Sequence, residues 1–270
     1  MKDAKVRLYV DHPLGAGQSI PLEKDQAHYL FGVMRQAKGG HVALFNGRDG
    51  EWQAEISEAG KRGGTLTCLE QSKPLQMPPD LWLIFAPIKK ARTDFIVEKA
   101  AEMGAARILP VGTEYTNSER IRQDRLQAHA VEAAEQCGGT YVPEVCELQK
   151  LSRLLDDWPA ERQLMFCDEA EVGQRRFLDL LEGSDRPRAE AQRPPRGADG
   201  RCPAYRPGET AQPGSWAILI GPEGGFSDRE RKRLHAMEQA HVVSLGPRIL
   251  RADTAAVAAL TLWQQTLGDW

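Results

Sequence analysis

The spacing of apolar and polar positions changes rhythm near residue 80. Before it, alternation at period two marks short, half-buried strands: Val6-Arg7-Leu8-Tyr9-Val10, His41-Val42-Ala43-Leu44-Phe45, Trp52-Gln53-Ala54-Glu55-Ile56 and Thr65-Leu66-Thr67-Cys68-Leu69. Gly39-Gly40, Asn46-Gly47 and Gly63-Gly64 stand between them as turn signals, and a helical turn is predicted over Asp25 to Met34. Short alternating strands joined by glycine turns predict a small β-barrel over residues 1–73. Lys73-Pro74 and Pro78-Pro79 bracket a linker at 74–79.

From Asp80 onward, continuous apolar runs replace the alternation. Leu81 to Ala86 and Trp216 to Ile220 suit strands buried on both faces, and Arg107 to Val111, Gln163 to Cys167 and Val242 to Leu245 are further strands. Between them lie predicted helices over 94–103, with Ile96, Ala100 and Met103 at i, i+4 and i+7, and over 124–137, 228–239 and 254–267. Strands alternating with helices predict an α/β domain over 80–270, built on a mostly parallel sheet. Gly183 to Pro213 breaks the pattern with six prolines, six arginines and no Val, Ile, Leu, Met or Phe. It is predicted to be a disordered or extended insertion, either tolerated without a role or acting as a basic arm on RNA.

With 270 residues, 41% hydrophobic and 27% charged, the chain has enough apolar material for a packed core. Its apolar stretches fall well short of the roughly 20 residues a membrane span needs. Met1-Lys2-Asp3-Ala4-Lys5 is followed by no apolar leader, so a cytoplasmic protein without a membrane partner is expected. Five cysteines without a CxxC pair, and six histidines without an HxxxH or HExxH spacing, predict neither a disulfide framework nor a metal site. The net charge of −3 argues against coating nucleic acid by bulk charge. The charge is unevenly spread: 10 basic against 9 acidic residues over 1–73, 6 against 4 over 183–213, and 19 against 25 elsewhere. That distribution leaves room for RNA recognition through a shaped pocket with a few placed arginines.

Two segments carry candidate chemistry. Ile218 to Glu230 runs from a buried strand through Gly221-Pro222-Glu223-Gly224-Gly225 into a helix whose start is fixed by the Ser227/Glu230 capping box. Leu245 to Ala256 repeats the plan: a strand end, a loop holding Gly246, Pro247, Arg248 and Arg251, then a helix capped by Asp253 or Thr254. Strand ends followed by glycine turns are where open α/β sheets place ligands. Neither segment is a GxGxxG or GxxxxGK[ST] motif, and no lysine follows to reach a phosphate, which disfavours a nucleotide hydrolase.

Gly221 to Ser227 (GPEGGFS) and Leu245 to Ala256 (LGPRILRADTAA) together resemble the signature of the ribosomal RNA small subunit methyltransferase E family, the 16S rRNA uridine-N3 methyltransferases of the SPOUT superfamily. Lys89 to Asp94 with Val97 to Gly104, and Glu132 to Gly138 with Val142 to Glu144, resemble two further family segments in the right order, so the resemblance spans nearly the whole chain. It implies a PUA-like barrel at the N-terminus and a SPOUT domain with a trefoil knot at the C-terminus. It also implies a homodimer and a substrate uridine, position 1498 in standard numbering, of 16S rRNA in the small ribosomal subunit. S-adenosylmethionine is expected to lie against Leu219, Ile220, Gly221, Pro222, Glu223, Gly224, Gly225, Leu245, Gly246, Ile249, Leu250 and Thr254.

Uracil N3 is a poor nucleophile until its proton leaves, and a guanidinium stabilises the resulting uridinate oxygens. Arg251 is the candidate for that role, and Glu223 for ordering the loop or managing the proton. Lys89, Lys90, Arg92, Arg248 and Arg251 are the candidate RNA contacts. The chain departs from the family pattern at Tyr115 and Gly139, where arginines are usual, and at Asp253, where Glu is commoner. The rival readings are a SPOUT enzyme modifying another RNA position and a catalytically silent RNA-binding assembly factor.

Overall fold

A computed structural model describes residues 4, 6–60, 63–118, 120–171 and 214–270. The insertion expected at 183–213 lies outside them. The chain divides into two units, Met1–Met77 with Ala134–Val142, and Pro78–Ala133 with Pro143–Trp270. Among the described residues no helix is long and apolar enough to cross a membrane.

The first unit is built on β1 (Arg7–Tyr9), β2 (Ser19–Pro21), β3 (His41–Phe45), β4 (Glu51–Gly60) and β5 (Gly63–Lys73), in the sheet order β1-β3-β4-β5-β2. β1 pairs parallel with β3, and the other pairs are antiparallel. The alternation read from sequence is present: Val42, Leu44, Ala54, Ile56, Leu66 and Cys68 point into one core with Ile20 and Leu30. β1 and β2 end the pairing path, so hydrogen bonding among the described residues gives an open five-stranded sheet. β4 and β5 outrun the expected strands because their exposed polar ends continue the ladder. The predicted helical turn is α1 (Lys24–Ala27) passing directly into a π-helical turn over His28–Val33.

The return of 134–142 to this unit is not signalled by composition. It is held there by the Arg7 guanidinium, which donates to the carbonyls of Ala134 at 2.6 Å and Gly139 at 2.6 Å while pairing with buried Glu51, and by the Tyr9 and Gln76 N–H groups, which donate to Glu135 and Thr140. These carbonyls end a helix, where a cation is favoured.

The second unit carries β6 (Leu81–Phe85), β7 (Arg107–Gly112), β8 (Glu144–Val145), β9 (Gln149–Lys150), β10 (Gln163–Cys167), β11 (Trp216–Ile220) and β12 (Ala240–Val243). The order is β12-β10-β11-β6-β7-β8, with β9 also on β7, and every pair is parallel. β6 and β11 are buried at all five positions, as runs without a polar face must be. The helices are α2 (Lys90–Glu102), α3 (Gln123–Cys137, which from Ala134 belongs to the first unit), α4 (Leu151–Asp156), α5 (Asp228–His235) and α6 (Ala252–Leu267).

Four boundaries differ from the sequence expectation in ways the local hydrogen bonds and caps explain. α2 starts four residues early, because the Thr93 hydroxyl bonds both the N–H and the carbonyl of Ile88 and fixes a turn there. α5 stops at His235 rather than 239, and β12 begins at Ala240 rather than 242, because the Ala240 N–H closes a turn on the Met237 carbonyl. α6 starts at Ala252 with Arg251 in the cap position, not Asp253 or Thr254. Asp253 lies in the first turn, where its carboxylate suits the positive end of the helix and accepts the Thr254 N–H at 3.1 Å. Because the sheet is parallel, all its C-terminal strand ends open on one edge, which is where the site lies.

Candidate active site

β11 ends at Ile220 and the chain turns at Gly221. A Cβ on Gly221 would stand 2.6 Å from the Phe226 ring, which is buried and packs edge-on against Phe166 at 5.0 Å. Only glycine lets the strand end lie so close to that ring. The Gly225 N–H then closes a turn on the Pro222 carbonyl at 2.9 Å, with Gly225 at φ +69. The expected capping box is present: Ser227 accepts the Glu230 N–H, and the Glu230 carboxylate accepts the Ser227 N–H at 3.0 Å. It sets where α5 starts and so how the 221–225 turn is held.

The second loop leaves β12 through Ser244, whose hydroxyl accepts the Gly246 N–H at 3.3 Å and donates to the Gly246 carbonyl at 3.1 Å. Gly246 adopts φ +124, where a side chain is strained. The Arg251 carbonyl accepts the Ala255 N–H at 2.7 Å and opens α6.

These loops and the end of β10 wall one cavity of about 210 Å³. Of the expected residues it brings together Ile220, Gly221, Pro222, Glu223, Leu245, Gly246, Arg248, Ile249, Leu250 and Arg251. Leu219 is buried within β11 and does not line it. Gly224, Gly225 and Thr254 also stand outside the lining, as do Lys89 and Lys90, both exposed at the start of α2. Arg248 and Arg251 are exposed at the cavity, and Ile249 between them is 73% exposed.

Arg92 is not a lining residue either. Its guanidinium meets Glu223 at 2.7 Å, and its Nε lies 3.7 Å from Asp253. It therefore links α2 to the 221–225 turn and to the first turn of α6. A carboxylate so paired is directed at the guanidinium, which suits Glu223 for ordering the loop.

Sequence reasoning missed the cavity floor, Cys167, Asp168 and Glu169, together with Val243, Ser244, Ala252 and Ala255. Burial pushes the Cys167 thiol up to about 12, so it stays protonated at neutral pH and offers no thiolate. Asp168 is 1% exposed and receives Arg231 Nε at 3.2 Å on both oxygens, while Glu169 receives the same guanidinium. The available signal was position: two carboxylates directly after a buried parallel strand sit on the edge where such sheets bind ligands. The site thus combines backbone groups of two glycine turns, carboxylates braced by Arg231 and Arg92, and two exposed arginines, Arg248 and Arg251, that form no ion pair among the described residues.

The model of an RNA methyltransferase domain matches residues 75–264, and that of an RNA methyltransferase PUA domain matches residues 22–67. Ribosomal RNA small subunit methyltransferase E of Rickettsia conorii is 27% identical over 259 residues, covering 94% of this chain and 93% of that protein. Among solved structures, a Legionella pneumophila protein crystallised with bound SAM is 26% identical, with a TM-score of 0.78 over 98% of this chain and 99% of that one. Ribosomal RNA small subunit methyltransferase E of Neisseria gonorrhoeae, bound to S-adenosyl methionine, shares the fold with a TM-score of 0.77 at 24% identity, over 98% and 99% of the two chains.

Proposed function

We propose, from the premise that the chain belongs to the ribosomal RNA small subunit methyltransferase E family of RNA methyltransferases, that it uses S-adenosylmethionine to methylate N3 of a uridine in 16S rRNA of the small ribosomal subunit, position 1498 in standard numbering. The observation that carries the reading is the single cavity on which the 220–223 and 244–252 segments converge, with Arg251 at its rim.

The residues present fit the cofactor. Backbone N–H and C=O groups of the two turns satisfy an adenine and a methionine chain without dedicated side chains, and the missing Cβ at Gly221 lets Phe226 close the turn. Asp168 and Glu169 share one guanidinium, Arg231, and Glu223 and Asp253 share another, Arg92, so carboxylates outnumber their paired cations beside the cavity, which favours a cationic ligand. When bound, S-adenosylmethionine supplies an electrophilic methyl on a sulfonium. Arg251 orients the uracil ring and stabilises the charge that develops on its oxygens as N3 loses its proton. Arg248 holds neighbouring RNA, and Arg92 keeps Glu223 and the turn in place. The reading carries with it a trefoil knot in the second unit, a PUA-like barrel in the first, a homodimer and a cytoplasmic setting.

The direct test is nucleoside mass spectrometry on small-subunit rRNA from a strain lacking the protein. Loss of one N3-methyluridine is expected, and an undiminished level overturns the reading. At the cofactor end, Gly221→Ala forces Phe226 or the strand end to move. Its S-adenosylmethionine affinity, measured by calorimetry, should fall about tenfold, or about 1.4 kcal/mol; unchanged affinity would show that the turn does not hold the cofactor.

A further inference from the structure

A second cavity, of about 730 Å³, opens on the same edge of the parallel sheet. Three pieces of chain line it: the turn after β7 around Thr113 and Glu114, the β9–α4 junction at Lys150 and Ser152, and α5 through Arg229 and Arg233. Two of its charged groups are already committed. Arg233 pairs with Asp156 at 2.7 Å and donates to the Ser152 carbonyl. The Glu230 carboxylate is consumed by Ser227 and by the Glu114 N–H at 3.0 Å. Lys150 and Arg229 are exposed and form no ion pair among the described residues, and Glu114 is the carboxylate that opposes them. Two unpaired cations beside threonine and serine hydroxyls make a site for a phosphodiester.

Tyr115 projects from the same turn and is 50% exposed. Its Cβ lies 3.3 Å from the point where a Cβ on Gly224 would stand, so the tyrosine packs directly on the 221–225 turn. Tyr115 does not itself line the cavity, but its chain neighbours Glu114 and Thr116 do, together with Lys150 and Arg229; an exposed aromatic ring near cations is an arrangement that binds single-stranded nucleic acid, the ring stacking a base and the cations holding its phosphates. β7 and β11 are two places apart in the sheet, about 10 Å at the usual strand spacing. With stacked nucleotides about 3.4 Å apart, that is a few nucleotides.

We infer that this cavity is a second RNA subsite. It takes the backbone of a nucleotide flanking the target, with Lys150 and Arg229 on the phosphates and Tyr115 stacking a base between the two cavities. The ligand class rests on the rRNA methylation proposed above.

The test is fluorescence anisotropy of the full chain with a labelled single-stranded decauridylate. The Lys150→Glu/Arg229→Glu variant should bind about tenfold more weakly, with a salt slope shallower by about 1.4. Tyr115→Ala should weaken binding by a similar factor, and Glu114→Gln should tighten it. The charge variants should keep S-adenosylmethionine affinity within about twofold, which reports an intact fold, and Arg229→Gln alone gives a milder charge change; at position 115, which packs on the 221–225 turn, Tyr115→Phe keeps the ring and should bind the oligonucleotide as the unmodified chain does. Binding unchanged in the charge-reversed variant, or no binding by the unmodified protein, overturns the inference. A chain that binds the oligonucleotide through these residues yet methylates no rRNA would sink the methylation reading and leave the subsite standing.

Discussion

Arg251→Ala is expected to cut methyl transfer to rRNA about 100- to 1,000-fold, the range found when one donor to a developing oxyanion is removed, while leaving S-adenosylmethionine affinity within about threefold. The expectation follows from where the backbone puts this residue. Arg251 occupies the cap position of α6 with an extended backbone, φ −67 and ψ 152, and its carbonyl is taken up by the first helical N–H. The side chain takes no part in that capping, is exposed, and has no partner among the described residues. It is therefore held at its root by the helix start and free at its tip, at the rim of the cavity that ends at Ala252 and Ala255. The positive end of α6 adds to its pull on an anion. Arg251→Lys keeps the charge but loses the planar fork, so it should recover only part of the rate. Single-turnover transfer and calorimetry on the same variants separate the two effects. Near-normal turnover in Arg251→Ala sinks the role, and a parallel collapse of cofactor affinity moves the residue to cofactor binding.

What was legible in the sequence was local. Five-residue apolar runs such as 81–85 and 216–220 have no polar face to expose, so they announce doubly covered strands. Ser227 and Glu230 are three residues apart, and their capping box forms as expected. β8, β9 and α4 escaped because two to six residues are too few to show a period. Asp253 misled because an acid one position inside a helix reads like a cap, and the choice between the two rests on backbone angles. Side-chain partnerships across the chain were invisible: Arg92 meets Glu223 131 positions away, and Arg231 meets Asp168 63 positions away. Arg92 looks like a free RNA contact until its two carboxylates are found, and the acidic floor looks like a strand end until its counter-charge is.

That counter-charge gives the second large effect. Arg231→Met should destabilise the chain by about 3–5 kcal/mol, the cost of removing one partner from a buried ion pair, read as a lower urea midpoint with little change in slope. Arg231 spans Asp168 and Glu169 from α5, and Asp168 is almost wholly enclosed. Among the described residues, the other basic side chain within 4.0 Å of Asp168 is His235, whose ring nitrogen lies at 3.7 Å, beyond hydrogen-bond reach. The Glu169 carboxylate lies against the place a side chain would occupy on Gly225, so the same arginine braces the turn that walls the cavity. The damage should therefore reach the cofactor, and affinity for S-adenosylmethionine should fall along with stability. A merely exposed ion pair would cost at most about 1 kcal/mol and leave the cofactor untouched. The double variant Asp168→Asn/Arg231→Met removes the orphaned buried charge together with its partner and should regain more than half of the lost stability. Because Glu169 remains unbraced in that double variant, the turn beside Gly225 stays loose and cofactor affinity should not recover in step. Recovery of both together would assign the whole effect to Asp168 and leave Glu169 without a part in shaping the site.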